Sequence, residues 1–505
     1  MPPDKVSRPY TGCASMPECT EFFLQKTWWT HNLQAERFWF FLLTGVLLLY
    51  PFIVRPLYFG AAWVNPEEVW ILPRILLLLF VGILGLLQAQ RGMAAYRSPF
   101  VILLLVYLAS VIPSSLNAQD DDASSVILGG RGRLDGLLYQ VGLVLFGIFA
   151  YRVLRQETSS ANAGTSSTAI IALRVMVLGG SLEAAILMAQ KLGAEFIGPL
   201  VRGVPYEAPV GTIGHPGMAA GFLLPLVFVG LGMWLLTEER KRAWLLLQVL
   251  LIAAGLGVTT NKASLLALIG ILLIWNLIQR QPRLLWASSL VLLSFFAAKE
   301  LLPNRLGFDR SYADLTTGQT RIIIWKLAWE ATRTIPGWPV LGGGPDAFRL
   351  ALIRHIPIEH LLEEYRLEYG WPPQARVKEI KPLWRANDPL RSRSFLVEFE
   401  NWTGSGKAAK ILMYFLDKAH NLILDRLLAF GLLGALVWLG LYLYPVLRGW
   451  RGRLLQRSLA MGLLAIFIYY LFWFPVPQVE PLHLVLIAAA WALLGQKPTP
   501  PEGVA

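Results

Sequence analysis

Hydrophobic residues along this chain gather in long unbroken runs, and the polar residues between them mostly form short stretches. Runs approaching 20 apolar residues are what an α-helix needs to cross a hydrocarbon core of about 30 Å, whereas a membrane β-barrel would need alternating positions. The pattern predicts twelve helical spans, at about 38–54, 69–88, 99–116, 134–151, 169–192, 216–236, 244–258, 263–278, 284–302, 421–447, 458–474 and 482–494. One long polar interval, residues 303–419, separates the ninth span from the tenth. The expected organisation is an all-α polytopic membrane protein. A tail at 1–37 leads to nine helices over 38–302, the 303–419 loop, three helices over 420–495 and a tail at 496–505.

Composition agrees with this pattern. Of 505 residues, 55% are hydrophobic and 15% charged, and the mean hydropathy is +0.51, well outside the soluble norm. A net charge of +12 would suit nucleic acid, but the basic residues are scattered through the short inter-helix stretches, where topology explains them better. With a cytoplasmic N-terminus, that side holds 18 Lys and Arg in its short segments and the opposite side 6. This bias puts both termini in the cytoplasm and the long loop outside. Cys13 and Cys19 are the only cysteines, so no disulfide framework is expected. The N-terminal tail lacks the pattern of a cleaved signal peptide, which makes the first span an anchor.

The long loop carries 17 basic and 13 acidic residues. That mild excess suits acidic or phosphate-bearing ligands and equally a solvated mixed-charge surface. Within it, IEHLLEEYRLEY (358–369) has helical spacing, while WPPQARVKEIKPLW is Pro-interrupted and basic.

His420 opens the tenth span. A histidine at a helix start meets free N–H groups and the positive end of the helix dipole, which disfavours the protonated ring. A neutral imidazole is what a general base needs; the alternative is an interfacial residue that ends the loop. Arg321, Trp325 and Trp329 recur at i, i+4 and i+8 and share a helical face, with Lys326 and Arg333 close by. An arginine fork grips phosphate oxygens with two bonds, but the same stripe also describes an amphipathic helix lying on the outer leaflet. Lys262, in the turn VTTNKAS, either snorkels or holds an anionic headgroup. GTIGHPGMAAGFLLPLV sets Gly211, Gly214, His215, Pro216 and Gly217 at the mouth of the sixth span, as a backbone cradle or a close-packing site.

Other motifs promise less. LGGGPDAF (341–348) lacks the Lys-Ser/Thr and the βαβ setting of a phosphate loop and reads as a turn. His355 and His360, five residues apart, belong to different helix faces, so no metal site is expected. Arg74, Arg174, Glu183, Lys299, Asp425 and Arg426 lie within spans, where ionisable groups are costly and suspect. Arg74, Lys299 and Arg426 sit near enough to outer ends to snorkel. Arg174 and Glu183 could both face the bundle interior, as in a transporter.

Taken together, RIIIWKLAWE, PVLGGGPDAF and HNLILDRLLAFGLLG, placed after nine spans and around a long outward loop, resemble the O-antigen ligase and polymerase family of bacterial envelope enzymes. GTIGHPGMAAGFLLPL is similar to that family's sixth-span motif, with His215 where Asn is usual. TTNKASLLAL is similar to its Thr-x-Ser-Arg turn, with Lys262 where Arg is common. The likeness runs over about 210–444.

The resemblance implies a GT-C-like helical fold and a transferase without cofactor, metal or nucleotide. It would move a glycan from undecaprenyl diphosphate to an acceptor hydroxyl at the periplasmic face of the bacterial inner membrane. Carried over by position, His420 would deprotonate the acceptor, and Arg321, assisted by Lys262, would bind the diphosphate. His215, Asn421 and Trp325 are secondary candidates. Expected partners are the lipid-linked glycan donor, an acceptor glycan or lipid A core, and the bilayer; nucleic acid is not expected. The acceptor decides between a ligase of lipopolysaccharide biosynthesis, a polymerase and a protein O-oligosaccharyltransferase, and no acceptor signature is readable. The reading from another class is a secondary transporter or glycan-lipid flippase built on Arg174 and Glu183, which predicts related halves and interrupted helices.

Overall fold

The computed structural model describes residues 37–53, 66–88, 97–118, 123–129, 134–156, 168–194, 209–303, 316–357, 359–363, 376–383, 393–400, 409–414 and 418–494. The N-terminal tail with Cys13 and Cys19 lies outside them.

All twelve apolar runs fall on helices. In chain order these are α1 (Arg37–Phe52), α2 (Pro66–Gln88), α3 (Pro99–Leu116), the short α4 (Ala123–Leu128), α5 (Leu137–Gln156), α6 (Thr168–Lys191) and α7 (Pro216–Leu236). Then come α8 (Glu239–Val258), α9 (Lys262–Gln279), α10 (Pro282–Glu300), α11 (Thr316–Thr332), α12 (Ala347–Arg354), α13 (Leu422–Gly449), α14 (Leu454–Tyr470) and α15 (Glu480–Leu494). Seven of them, α3, α5, α6, α7, α8, α9 and α13, are long and apolar enough to cross a membrane, while α1, α2, α14 and α15 are shorter apolar helices. The chain is thus a helical, multi-pass membrane protein.

Helix α7 is its axis. Residues 217–234 are buried on every side, and the helix packs against α6, α8 and α14. A helix apolar all round belongs at the centre of a bundle. Pro216 fits its first turn, where the missing N–H costs nothing.

The segment between α10 and α13 is more structured than its polarity suggests. Helices α11 and α12 pack with the start of α13 around a second apolar core that includes Ile324, Leu327, Ala331, Phe348, Leu352 and Leu428. One apolar face of α11 is therefore turned into protein, while Ile322 and Trp329 stay exposed. Beyond it, β1 (Arg376–Leu383), β2 (Arg393–Glu400) and β3 (Ala409–Tyr414) form an antiparallel sheet in the order β1-β2-β3. Its register shifts between Val377 and Glu379. The basic, Pro-interrupted stretch contains β1. Of the helical pattern at 358–369, the described part, 359–363, is helical and the rest lies outside the described residues.

Helix α13 is broken. Gly431 has φ 70° and ψ −172°, a conformation open to glycine and strained for other residues. The gap is closed by the backbone of the glycine-rich turn. Gly343 N–H donates to the Leu428 carbonyl at 2.9 Å, Gly344 N–H to that of Ala429 at 3.0 Å, and Leu432 N–H donates back to the Pro339 carbonyl at 2.8 Å. So close an approach requires Gly342, whose Cβ would fall 2.2 Å from the Ala429 carbonyl oxygen. From the other side, Ser114 Oγ accepts from Gly342 N–H at 3.1 Å, and Asn117 Nδ2 donates to the Gly342 carbonyl at 3.0 Å. The turn read from LGGGPDAF is a splint between α3 and α13.

The intramembrane charges do not behave as expected. Arg74 is fully buried and donates to the carbonyls of Tyr50, Pro51 and Thr212 at 3.1, 2.6 and 3.0 Å, so it does not snorkel. Arg426 is buried against Glu480. Arg174 is exposed while Glu183 is buried, so the two charges of α6 do not share the bundle interior.

Candidate functional site

The site is built from four chain segments. The first is the 210–215 loop ahead of α7. Gln190 Oε1 accepts from Gly211 N–H at 2.8 Å, Glu183 Oε1 accepts from Thr212 N–H at 2.8 Å, and Arg74 holds the Thr212 carbonyl. Gly211 has φ +63°, and a Cβ there would fall 1.9 Å from Glu183 Oε1. This clamped loop delivers His215 as the cap of α7: its Nδ1 accepts from Gly217 N–H at 3.0 Å. Nδ1 therefore carries no proton, and Nε2 is the N–H of the neutral ring.

The second segment is the turn 418–421. Asn421 caps α13, its Oδ1 accepting from Ile423 and Leu424 N–H at 3.0 and 3.2 Å while Nδ2 donates to the Leu471 carbonyl at 3.0 Å. Its amide is spent on the backbone, which makes it a structural cap. His420 stands just before it with φ +52°, a left-handed conformation that costs a non-glycine residue about 1–3 kcal/mol. Its neighbours are tied down: Lys418 Nζ reaches Asp135 Oδ2 at 2.5 Å and the Pro345 carbonyl at 3.0 Å, and Ala419 N–H donates to Asp425 Oδ1 at 2.7 Å.

The third is α11. Trp325 Nε1 donates to the His420 carbonyl at 3.4 Å, and its ring lies 5.9 Å from Phe472. One turn earlier, the Arg321 guanidinium carbon sits 5.5 Å from the centre of the Trp473 ring. Trp329, the next residue of the stripe, turns away to meet Trp338 edge-on.

The fourth is the aromatic run after α14, and it joins the others. Trp473 meets the His420 ring edge-on at 5.2 Å, lies 5.4 Å from the His215 ring, and carries Arg321 on its face. Phe474 closes on His420 at 4.8 Å. Gly217 makes room for Trp473, since a Cβ there would fall 2.7 Å from the ring, and the Tyr469 hydroxyl donates to the Gly217 carbonyl. His215, Arg321, His420 and Trp473 are all half-buried.

Lys262 is the first residue of α9, half-buried, behind the Asn261 cap that accepts from Ser264 N–H at 2.9 Å. Helix α9 packs against α14, which carries Tyr469 near its end.

A second polar group lies alongside. Arg426 pairs with Glu480 and donates to Tyr107 Oη at 2.6 Å, Tyr139 donates to Glu480 Oε2 at 2.9 Å, and Tyr107 donates to Gln140 Oε1 at 2.8 Å. The Arg426 guanidinium also stacks 4.5 Å from the Trp438 ring centre. A small cavity between Asp135, Lys418, Arg426 and Glu480 is walled by Phe474, so this network backs directly onto the aromatic that touches His420. Just outside the spans, burial raises the Asp346 carboxyl above the usual aspartate range, with Arg349 at 2.6 Å opposing it.

The structure thus brings together His420, Arg321, His215 and Trp325. Sequence reasoning missed Trp473, whose signal was the run WFPVP directly after α14, and missed Asp135 and Lys418 as partners. Among the described residues, no group of three or more His, Cys, Asp or Glu side chains is placed to hold a metal ion, and His360 instead meets Glu330 at 3.0 Å. A histidine and an arginine on one tryptophan are the groups that could accept a proton and stabilise a developing negative charge in a single reaction. No family model, curated protein or solved structure matches the chain.

Proposed function

We propose that the protein is an O-antigen ligase-type transferase that moves a glycan from undecaprenyl diphosphate to an acceptor hydroxyl, with lipid A core as the first acceptor to test. In this reading twelve helices span the bacterial inner membrane, both termini are cytoplasmic, and the Trp473 cluster faces the periplasm. The observation that supports it is the convergence of His420 and Arg321, far apart in sequence, on one half-buried tryptophan.

The chemistry follows from these residues. Neutral His420 takes the proton of the acceptor hydroxyl as its oxygen attacks the anomeric carbon. The bond from that carbon to the phosphate oxygen breaks, and the diphosphate leaves with the electron pair. Arg321 and Lys262 offset its charge, Arg321 through a planar fork and Lys262 as a point charge. A polymerase or a protein O-oligosaccharyltransferase would use the same donor and the same residues.

The broken α13 is the one feature that favours a transporter or flippase, where interrupted helices line a substrate path. Here protein backbone fills the break, and Arg174 is turned away from the interior. Both observations favour the transferase.

The test is reconstitution with a polyprenyl-diphosphate glycan, with or without lipid A core, beside His420→Ala. Product on lipid A core that disappears in the variant supports the ligase. Longer lipid-linked chains without acceptor make it a polymerase, and donor movement without transfer returns the transporter.

A further inference from the structure

We infer that the buried ion pair between Lys418 and Asp135 is a positioning device for His420, holding the turn in which that histidine takes its left-handed backbone. Its consequence for catalysis rests on the transferase reading; its consequence for His420 geometry does not.

Both partners are buried, at 7% exposure each, and they sit far apart in the sequence. Removing two charges from water for one ion pair is a poor route to stability, since well-packed apolar residues do as well or better. What such a pair supplies is a fixed point. Lys418 is two residues from His420, and its second contact, on the Pro345 carbonyl, ties the same side chain to the glycine-rich splint. Asp135 is fixed in turn, because its carbonyl accepts from Gln140 Nε2 at 3.0 Å, and Gln140 is bonded by Tyr107, which Arg426 holds. The tether therefore runs from the packed interior of α3 and α5 to the residue before Ala419. Ala419 is itself buried and bonded to Asp425. With 418 and 419 immobilised, the left-handed conformation at His420 sets the ring edge-on against the stacked pair of Trp473 and Phe474. Without the tether the turn relaxes to an ordinary backbone and the ring leaves that pair.

The test uses full-length protein in detergent and in liposomes. Asp135→Asn combined with Lys418→Met removes both charges together and leaves neither buried alone. Three quantities are read: thermal stability, the rate at which diethyl pyrocarbonate modifies His420, resolved by peptide mass spectrometry with exposed His355 and His360 as references, and the kcat and KM of transfer. We expect a melting temperature near that of the wild type, faster modification of His420, and kcat down about 100-fold with little change in donor KM, as for a catalytic group displaced by about 1 Å. Wild-type modification of His420 in the folded double variant overturns the inference. Should that variant not fold, Asp135→Glu decides. It keeps the charge and shifts the carboxylate by one methylene, and His420 reactivity must change in it for the inference to stand. If the wild type transfers no glycan, the transferase reading fails and the modification rates still decide the tether.

Discussion

Two groups of charged and aromatic residues lie side by side at the start of α13, and they are built on opposite plans. Around Arg426, 6% exposed, positive charge closes on Glu480, 2% exposed, with tyrosines completing the bonds. Around Trp473, the basic side chains rest on aromatic faces and stay half-buried. Charge closed on charge away from water fixes helices to one another; charge resting on a ring, half-buried, stays within reach of solvent. On the transferase reading proposed above, the first group is scaffold and the second carries the chemistry, although both contain an arginine within reach of a tryptophan.

The sharpest way to break this comparison is His420→Ala. Transfer falls by about 10²–10⁴-fold in the reconstituted assay while the melting temperature stays put. Next is Glu480→Ala, which leaves Arg426 as an uncompensated buried charge and removes about 3–5 kcal/mol of stability by denaturant unfolding, with transfer falling only as folded protein is lost. Intact stability with abolished transfer would move the network into the site and end the division. Gly342→Ala forces a methyl group into the Ala429 carbonyl and costs about 1–3 kcal/mol in the same measurement. The smallest effect sharpens the comparison: Arg321→Lys keeps the charge and loses the flat, stackable fork, so transfer drops about tenfold with no loss of stability.

The helices were legible because a run of apolar residues long enough for a membrane admits few other structures. His420 was legible as a polar group at the start of such a run and Arg321 as one member of a stripe at i, i+4 and i+8, and the structure sets both against Trp473. Trp473 was not, since one tryptophan among 19 carries no mark until its neighbours are known. Nor could Lys418 be matched to Asp135, because nothing local in either sequence names a partner so distant. Arg426 and Arg74 were misjudged for a related reason: proximity to a helix end permits snorkelling, but the carboxylate or carbonyls that hold them inside come from other helices. Strand β1 was hidden because RVKEIKPL lacks the alternation of apolar and polar positions that marks a strand.

The splint across α13 also bears on how the protein is made. The carbonyls of Leu428 and Ala429 are bonded by the glycine-rich turn and not by α13 itself, so the helix on either side of Gly431 is not completed by its own backbone alone. The donors it needs, Gly343 and Gly344, leave the ribosome well before it does. Synthesis therefore makes the turn before the helix that it completes.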